Sequence, residues 1–256
     1  EMCNNNGACR KLDSGVMCPS YRVTKEEKDL VRGRANTLRL ALSNQLPKDS
    51  FVSKGMYETM ELCVSCKACQ RECPMSVDMA KMKSEFLSHY YRKFSMSIKD
   101  RVISNMPKLI WLLKISNPII NTLNKLPVFS QIIEWFGFSS KRSLPVVENQ
   151  KPLKEIYRDQ LQSEKKVILF ADTFNINFEI KNLMYAIKVV NKFGYQAIIP
   201  SFQNDSLDRP LCCGRTYISL GQLDKAQKEL ERFTKYIIDN GYNELPVVGI
   251  EPVSYT

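Results

Sequence analysis

Cys63-Val-Ser-Cys66-Lys-Ala-Cys69-Gln-Arg-Glu-Cys73-Pro74 is the stretch from which the rest of the chain is read. Three thiols two residues apart can turn around one face of a cuboidal [4Fe–4S] cluster. The fourth, just before the proline, is carried away from that turn, and in two-cluster proteins it ligates the other cluster. Zinc also takes C-x2-C pairs, but it closes with two separated pairs. Here the cysteines form one unbroken run ending in Cys-Pro, which favours iron–sulfur.

The opening of the chain repeats this pattern. Cys3-Asn-Asn-Asn6-Gly-Ala-Cys9, followed by Met17-Cys18-Pro19, aligns Cys3, Asn6 and Cys9 with Cys63, Cys66 and Cys69, and Cys18-Pro19 with Cys73-Pro74. Asparagine replaces the middle cysteine, and the insert before Cys-Pro is longer. If ligation crosses between the repeats, Cys63, Cys66, Cys69 and Cys18 hold one complete cluster. Cys3, Cys9 and Cys73 then hold a second with one non-cysteine position. There Asn6 supplies a ligand, or that iron is left to water or another side chain. The plainer alternative is one cluster, with the first cysteines structural.

At 256 residues, 44% hydrophobic and 25% charged, the chain has the composition of a soluble globular protein with room for two domains. Seven of its nine cysteines fall in cluster-like spacings, which requires free thiols and a reducing, cytoplasmic setting. No signal peptide precedes Cys3, and Glu1 leaves no room for an earlier element, so the chain reads as a piece of a longer polypeptide. Basic residues outnumber acidic ones by 17 to 12 in residues 1–100 and by 10 to 5 in residues 101–165, and they balance at 10 to 10 in residues 166–256. The surplus offsets thiolate and cluster charge. Aromatic-interleaved basic signatures are missing, so no nucleic-acid partner is expected.

Thr24-Lys-Glu-Glu27 has the form of a capping box opening a helix, with Val31, Ala35, Leu38 and Leu42 as its buried face and Pro47 as its end. Arg32, Arg34 and Arg39 lie along it, as a solvated face or as charges offsetting a cluster. A second helix from Asp78 carries Met79, Met82, Phe86 and Tyr90 inward. His89, the only histidine, reads as a packed or hydrogen-bonded surface residue. Residues 1–100 therefore predict an α-helical ferredoxin-like domain.

Residues 101–165 form a helical connector and linker, apolar but broken at Pro107, Pro118 and Pro127, with no run long enough to span a membrane. Interleaved Trp, Leu and Lys leave room for a partner surface or a peripheral contact with the inner membrane. Residues 166–256 change character. Strands at Lys166–Ala171, Gln196–Ile199 and Val247–Ile250 alternate with helices at about 179–192 and 224–239, which predicts a small parallel sheet. The fold class is thus α plus α/β. Cys212-Cys213-Gly214-Arg215 falls in a loop after the second strand, at the sheet end where α/β sites form. No Gly-rich phosphate loop is present, so no nucleotide site is indicated.

The Cys-Asn-x-Asn-Gly-Ala-Cys-Arg-Lys opening, Met17-Cys-Pro-Ser-Tyr, Arg32-Gly-Arg-Ala-Asn36, the central run, Val77-Asp-Met-Ala-Lys81, Phe170-Ala-Asp-Thr-Phe174 and Pro210-Leu-Cys-Cys-Gly-Arg-Thr216 together resemble one family. It is that of the large bacterial FAD-linked 2-hydroxyacid dehydrogenases of the D-lactate or D-2-hydroxyglutarate type, in which a flavin domain is fused to an iron–sulfur module. The resemblance covers essentially the whole chain and implies that the chain is that module. FAD and the substrate site would lie in an N-terminal part of the same polypeptide, and electrons would pass to a quinone or another acceptor. The Cys-Cys-Gly segment also resembles iron–sulfur subunits of heterodisulfide reductase and glycolate oxidase. A subunit of a glycolate or glycerol-3-phosphate dehydrogenase is therefore an alternative, and a metal-stapled docking scaffold is a non-redox one. Relatives of the Cys-Cys-Gly segment carry further cysteines, where this chain has Asp172 and, at Glu251-Pro-Val-Ser254, a serine. A complete cofactor site at Cys212 and Cys213 is accordingly not expected.

Overall fold

A computed structural model describes residues 3–12, 15–136, 138–141, 143–200, 209 and 211–250. The Glu251–Ser254 segment lies outside the described residues. The chain divides into two compact units: residues 1–96 with 217–223, and residues 97–216 with 224–255.

The first unit is helical. Its elements are α1 (Pro19–Thr24), α2 (Val31–Leu42), α3 (Lys54–Glu61), α4 (Ala68–Glu72) and α5 (Met79–Lys93), with 3-10 turns at Ala8–Arg10, Glu27–Asp29 and Ser50–Val52. Leu30, Val31, Leu38, Met56, Met60, Met79 and Phe86 form its core, and each well-buried side chain of this size contributes about 1.5–3 kcal/mol. Phe86 and Tyr90 follow the expected inner stripe of α5, and the Asp78 side chain caps that helix by accepting from the Lys81 N–H at 3.0 Å. His89 is half exposed, 3.1 Å from Glu85 and edge-on to Phe51.

Three expectations for α2 are corrected. The Thr24–Glu27 pattern does not open it. The Thr24 hydroxyl donates to the Ser20 carbonyl at the end of α1, and Lys25, in the left-handed region at φ 60°, stops that helix. The helix instead starts at Val31, after the 3-10 turn, and ends at Leu42 rather than running to Pro47. Leu42 is exposed rather than buried, and Arg34, read as either a solvated residue or a charge offsetting a cluster, is 1% exposed.

The second unit contains α6 (Ile98–Ser104), α7 (Met106–Leu123), α8 (Pro127–Trp135), α9 (Lys151–Arg158), β1 (Lys166–Phe170), α10 (Thr173–Asn177), α11 (Ile180–Lys192), β2 (Gln196–Ile198), α12 (Arg215–Ser219, shared with the first unit), α13 (Leu223–Asp239) and β3 (Val247–Gly249). The three strands pair in parallel in the order β2-β1-β3, with Val167 opposite Ala197 and Leu169 opposite Val248. Central β1 is buried through Val167, Ile168 and Leu169, which explains its unbroken apolar run. Leu183 and Ile187 of α11 and Leu153 of α9 pack into the same core. Pro107 and Pro127 sit in the first turns of α7 and α8, where no N–H bond is lost, and α7 continues through Pro118. The Asn117 side chain bonds the Val147 backbone and Asn124 bonds that of Leu144, tying α7 to residues 144–147. The Glu148 N–H and Gln150 side chain donate to the Asn177 and Ile176 carbonyls at 2.7 and 3.1 Å, tying that segment to α10. Among the described residues no helix is long and apolar enough to cross a membrane.

Candidate metal centre

The backbone on either side of Cys66 is left-handed, with φ 53° at Ser65 and 57° at Lys67. Non-glycine residues rarely adopt this conformation, and it bends the chain sharply. Sixty positions earlier, Asn5 at φ 62° and Gly7 at φ 76° flank Asn6 in the same way. Each loop then leads into a helical turn, Ala8–Arg10 in one and α4 in the other. The internal repeat read from cysteine spacing is therefore a repeat of backbone shape.

Cys63, Cys66 and Cys69 line one cavity, and Cys18 from the first repeat lines it with them, alongside Val31, Arg34 and Met79. Cys73 is not among its lining residues. Cys9 has Cys3 as its electrostatic neighbour, the turn carrying Cys9 packs on α4, and Cys3 and Cys73 are partly buried against the same core. Asn6 is exposed. Its Oδ1 accepts from the Ala8 N–H at 2.8 Å and its Nδ2 donates to Asn4 at 2.7 Å. All nine cysteines are free. Among the described residues, no three His, Cys, Asp or Glu side chains are placed to hold a single metal ion.

Helix N-termini expose N–H groups that have no partner within the helix. Here those groups point at sulfur. The Val31 N–H, first in α2, donates to Cys18 Sγ at 3.2 Å, and the next, from Arg32, reaches Cys9. The Met79 N–H, first in α5, donates to Cys69 Sγ at 3.4 Å. This explains why α2 has Leu30 at its cap and no capping side chain. Burial outweighs these donors. It raises the Cys9 and Cys69 thiols above their ordinary value of 9.0 and pushes Cys18 up to about 12.

Several polar residues hold the cysteines in place. Glu72 at the end of α4 accepts from the Val16 and Met17 N–H groups at 2.8 and 3.0 Å, which ties the approach to Cys18 to the helix of Cys69. Lys83 donates to the Glu61 and Cys63 carbonyls at 3.0 and 2.6 Å. Asn36 donates to Asn5 at 2.7 Å, fixing the first loop on α2. Sequence reasoning missed Glu72 and Lys83. Only Glu72 carried any signal, its place beside Cys73.

Cys212 and Cys213 lie in the loop before α12, separately in the second unit. Cys212 is buried and hydrogen-bonded to Cys213, with Thr173, just past β1, as an electrostatic neighbour, so it sits at the carboxyl end of the central strand. The bond with Cys213, followed by burial, raises its thiol far above the ordinary range. Asp172 does not turn toward the cysteines. Its carboxylate caps α10, accepting from the Phe174 and Asn175 N–H groups and from the Asn175 side chain at 2.5 Å.

This arrangement defines a class, and the comparisons with known proteins agree. Residues 1–77 match the family model of the 4Fe-4S dicluster domain. Over 98% of its length the chain is similar to proteins named D-2-hydroxyglutarate dehydrogenase, at 23% identity to that of Pantoea ananatis, 21% to that of Escherichia coli and 24% to that of Pseudomonas putida. It spans 28% of the length of each of these relatives. No solved structure matches the chain.

Proposed function

We propose that this chain is the iron–sulfur electron-transfer module of a flavin-linked D-2-hydroxyacid dehydrogenase. The observation that carries the reading is the cavity in which Cys18 of one repeat joins Cys63, Cys66 and Cys69 of the other. An all-thiol donor set is soft, and backbone N–H groups aimed at sulfur favour its charged form, as an iron–sulfur cluster requires. Those four cysteines would hold one [4Fe–4S] cluster. Cys3, Cys9 and Cys73 would hold a second, with position 6 as its non-cysteine corner. When bound, such clusters carry single electrons, which lets a flavin divide a two-electron oxidation.

The chain's own residues do the positioning. Val31 and Met79 orient two thiolates, and Leu30, Met60 and Phe86 exclude water behind them. In this reading the flavin, the hydroxyacid site and the exit to a quinone or other acceptor belong to the rest of the polypeptide or to its partners. Cys212 and Cys213 have a packing role or bind a metal outside the main route. The test is anaerobic iron and acid-labile sulfide analysis with EPR of the reduced chain, followed by an assay with D-lactate and D-2-hydroxyglutarate. Iron, sulfide and a reduced-cluster signal are expected, with no turnover unless a flavoprotein is added. Zinc without sulfide, or turnover by the chain alone, would overturn the reading.

A further inference from the structure

Two charge pairs connect the 3-10 turn Glu27–Asp29 to the first turn of α2. Arg32 bonds Glu27 at 2.5 Å, and Arg34 faces Asp29 at 3.7 Å. The side chains of the first pair are 22% and 44% exposed, whereas those of the second are 2% and 1% exposed. Arg34 lines the cavity of Cys18, Cys63, Cys66 and Cys69, where Asp29 does not. Its guanidinium is fixed by donating to the Thr59 carbonyl at 2.9 Å and to Ser20 Oγ at 3.2 Å, and Ser20 in turn donates to the Asp29 carbonyl at 2.6 Å. Neither carboxylate oxygen of Asp29 has a hydrogen-bond partner among the described residues. A buried carboxylate left without hydrogen bonds is costly, and an ion pair in such a place is often no more stable than apolar residues of the same volume. Stability alone therefore gives a weak reason for this pair.

We infer that Arg34 and Asp29 are positioning residues for electron transfer, a buried charge pair that sets the reduction potential of the site formed by Cys18, Cys63, Cys66 and Cys69. The inference rests on the iron–sulfur reading of that site. Reduction adds one negative charge to the cavity. Arg34, on the cavity wall, favours the reduced state and raises the potential. Asp29, behind it, opposes that effect and holds the potential down. Both act across a medium that water does not screen, whereas the Arg32–Glu27 pair beside Cys3 and Cys9 is screened.

The experiment is an EPR-monitored redox titration of the anaerobically reconstituted 256-residue chain, with iron and sulfide measured on every sample. Asp29→Asn is expected to raise the midpoint of one cluster, changing its oxidised-to-reduced ratio at fixed potential by about tenfold. Glu27→Gln is expected to shift either cluster far less. Arg34→Met leaves Asp29 unpaired and is prone not to fold, so two further variants carry the test. Arg34→Lys keeps the charge and the midpoint. Arg34→Met with Asp29→Asn removes both charges and lowers the midpoint below that of the parent. A fully loaded Asp29→Asn chain with an unshifted midpoint, or a shift no larger than that of Glu27→Gln, would overturn the inference. Failure of the parent chain to bind iron and sulfide would instead overturn the reading beneath it.

Discussion

Gly33 shows how closely the cysteines depend on residues that hold no metal. A Cβ built there would lie 2.0 Å from the Glu27 carbonyl oxygen, so only glycine lets α2 settle against the 3-10 turn. That contact sets the Val31 and Arg32 N–H groups against Cys18 and Cys9. Gly33→Ala is expected to cost the metal-free chain about 1–3 kcal/mol in urea unfolding and to lower bound iron at both sites. The raised thiols lead to a second expectation. Loading must expel protons that Cys9, Cys18 and Cys69 hold more tightly than free cysteine does, so anaerobic reconstitution should improve from pH 7 to pH 9. Stability of the metal-free fold moves the other way. Cys18 is neutral folded or unfolded below its ordinary 9.0, so its burial carries no penalty there, and stability is lost as pH rises from that value toward about 12. Reconstitution that worsens above pH 7, with no loss of fold, would contradict the proton competition. The cysteines were legible because their spacing is their chemistry. Arg34 was only half legible, since a sequence shows a charge on a helix but not which side of that helix is buried.

The strands and the helices between them followed their patterns, whereas α2 did not. β1, β2 and β3, with α11 and α13 between them, lie within a residue or two of where their apolar runs place them, because burial in a parallel sheet imposes those runs. The start of α2 was misread because a capping box assumes that the first N–H groups seek a side-chain oxygen, and here they seek Cys18 and Cys9. Long-range sulfur caps leave no local signal. The loop carrying Cys212 and Cys213 is a separate case. Its position at the carboxyl end of β1 suits a ligand site, yet Asp172 is committed to capping α10, and the two thiols stand with Thr173. Changing both Cys212 and Cys213 to serine is expected to leave iron, sulfide and EPR signals of the chain intact. Loss of about half the iron with one signal, while circular dichroism is unchanged, would show that this loop holds a working cluster.

The two-unit division separates the repeat-built cysteine unit from the sheet unit, and only the first matches a dicluster domain. Its relatives are several times longer, since this chain spans 28% of their length. Which substrate the proposed enzyme would take was not legible, because the residues that would select it are not among the cysteine motifs. The central claim is narrower: ligands cross between the repeats, so that Cys18 belongs with cysteines some fifty residues away. It is tested most directly by comparing Cys18→Ser with Cys66→Ser by iron analysis and EPR of the reduced, anaerobically reconstituted chains. Both variants are expected to lose about half the iron and the same EPR signal, leaving the other signal in place. If Cys18→Ser keeps the signal that Cys66→Ser removes and loses the other, the ligands do not cross in this way and the account is wrong.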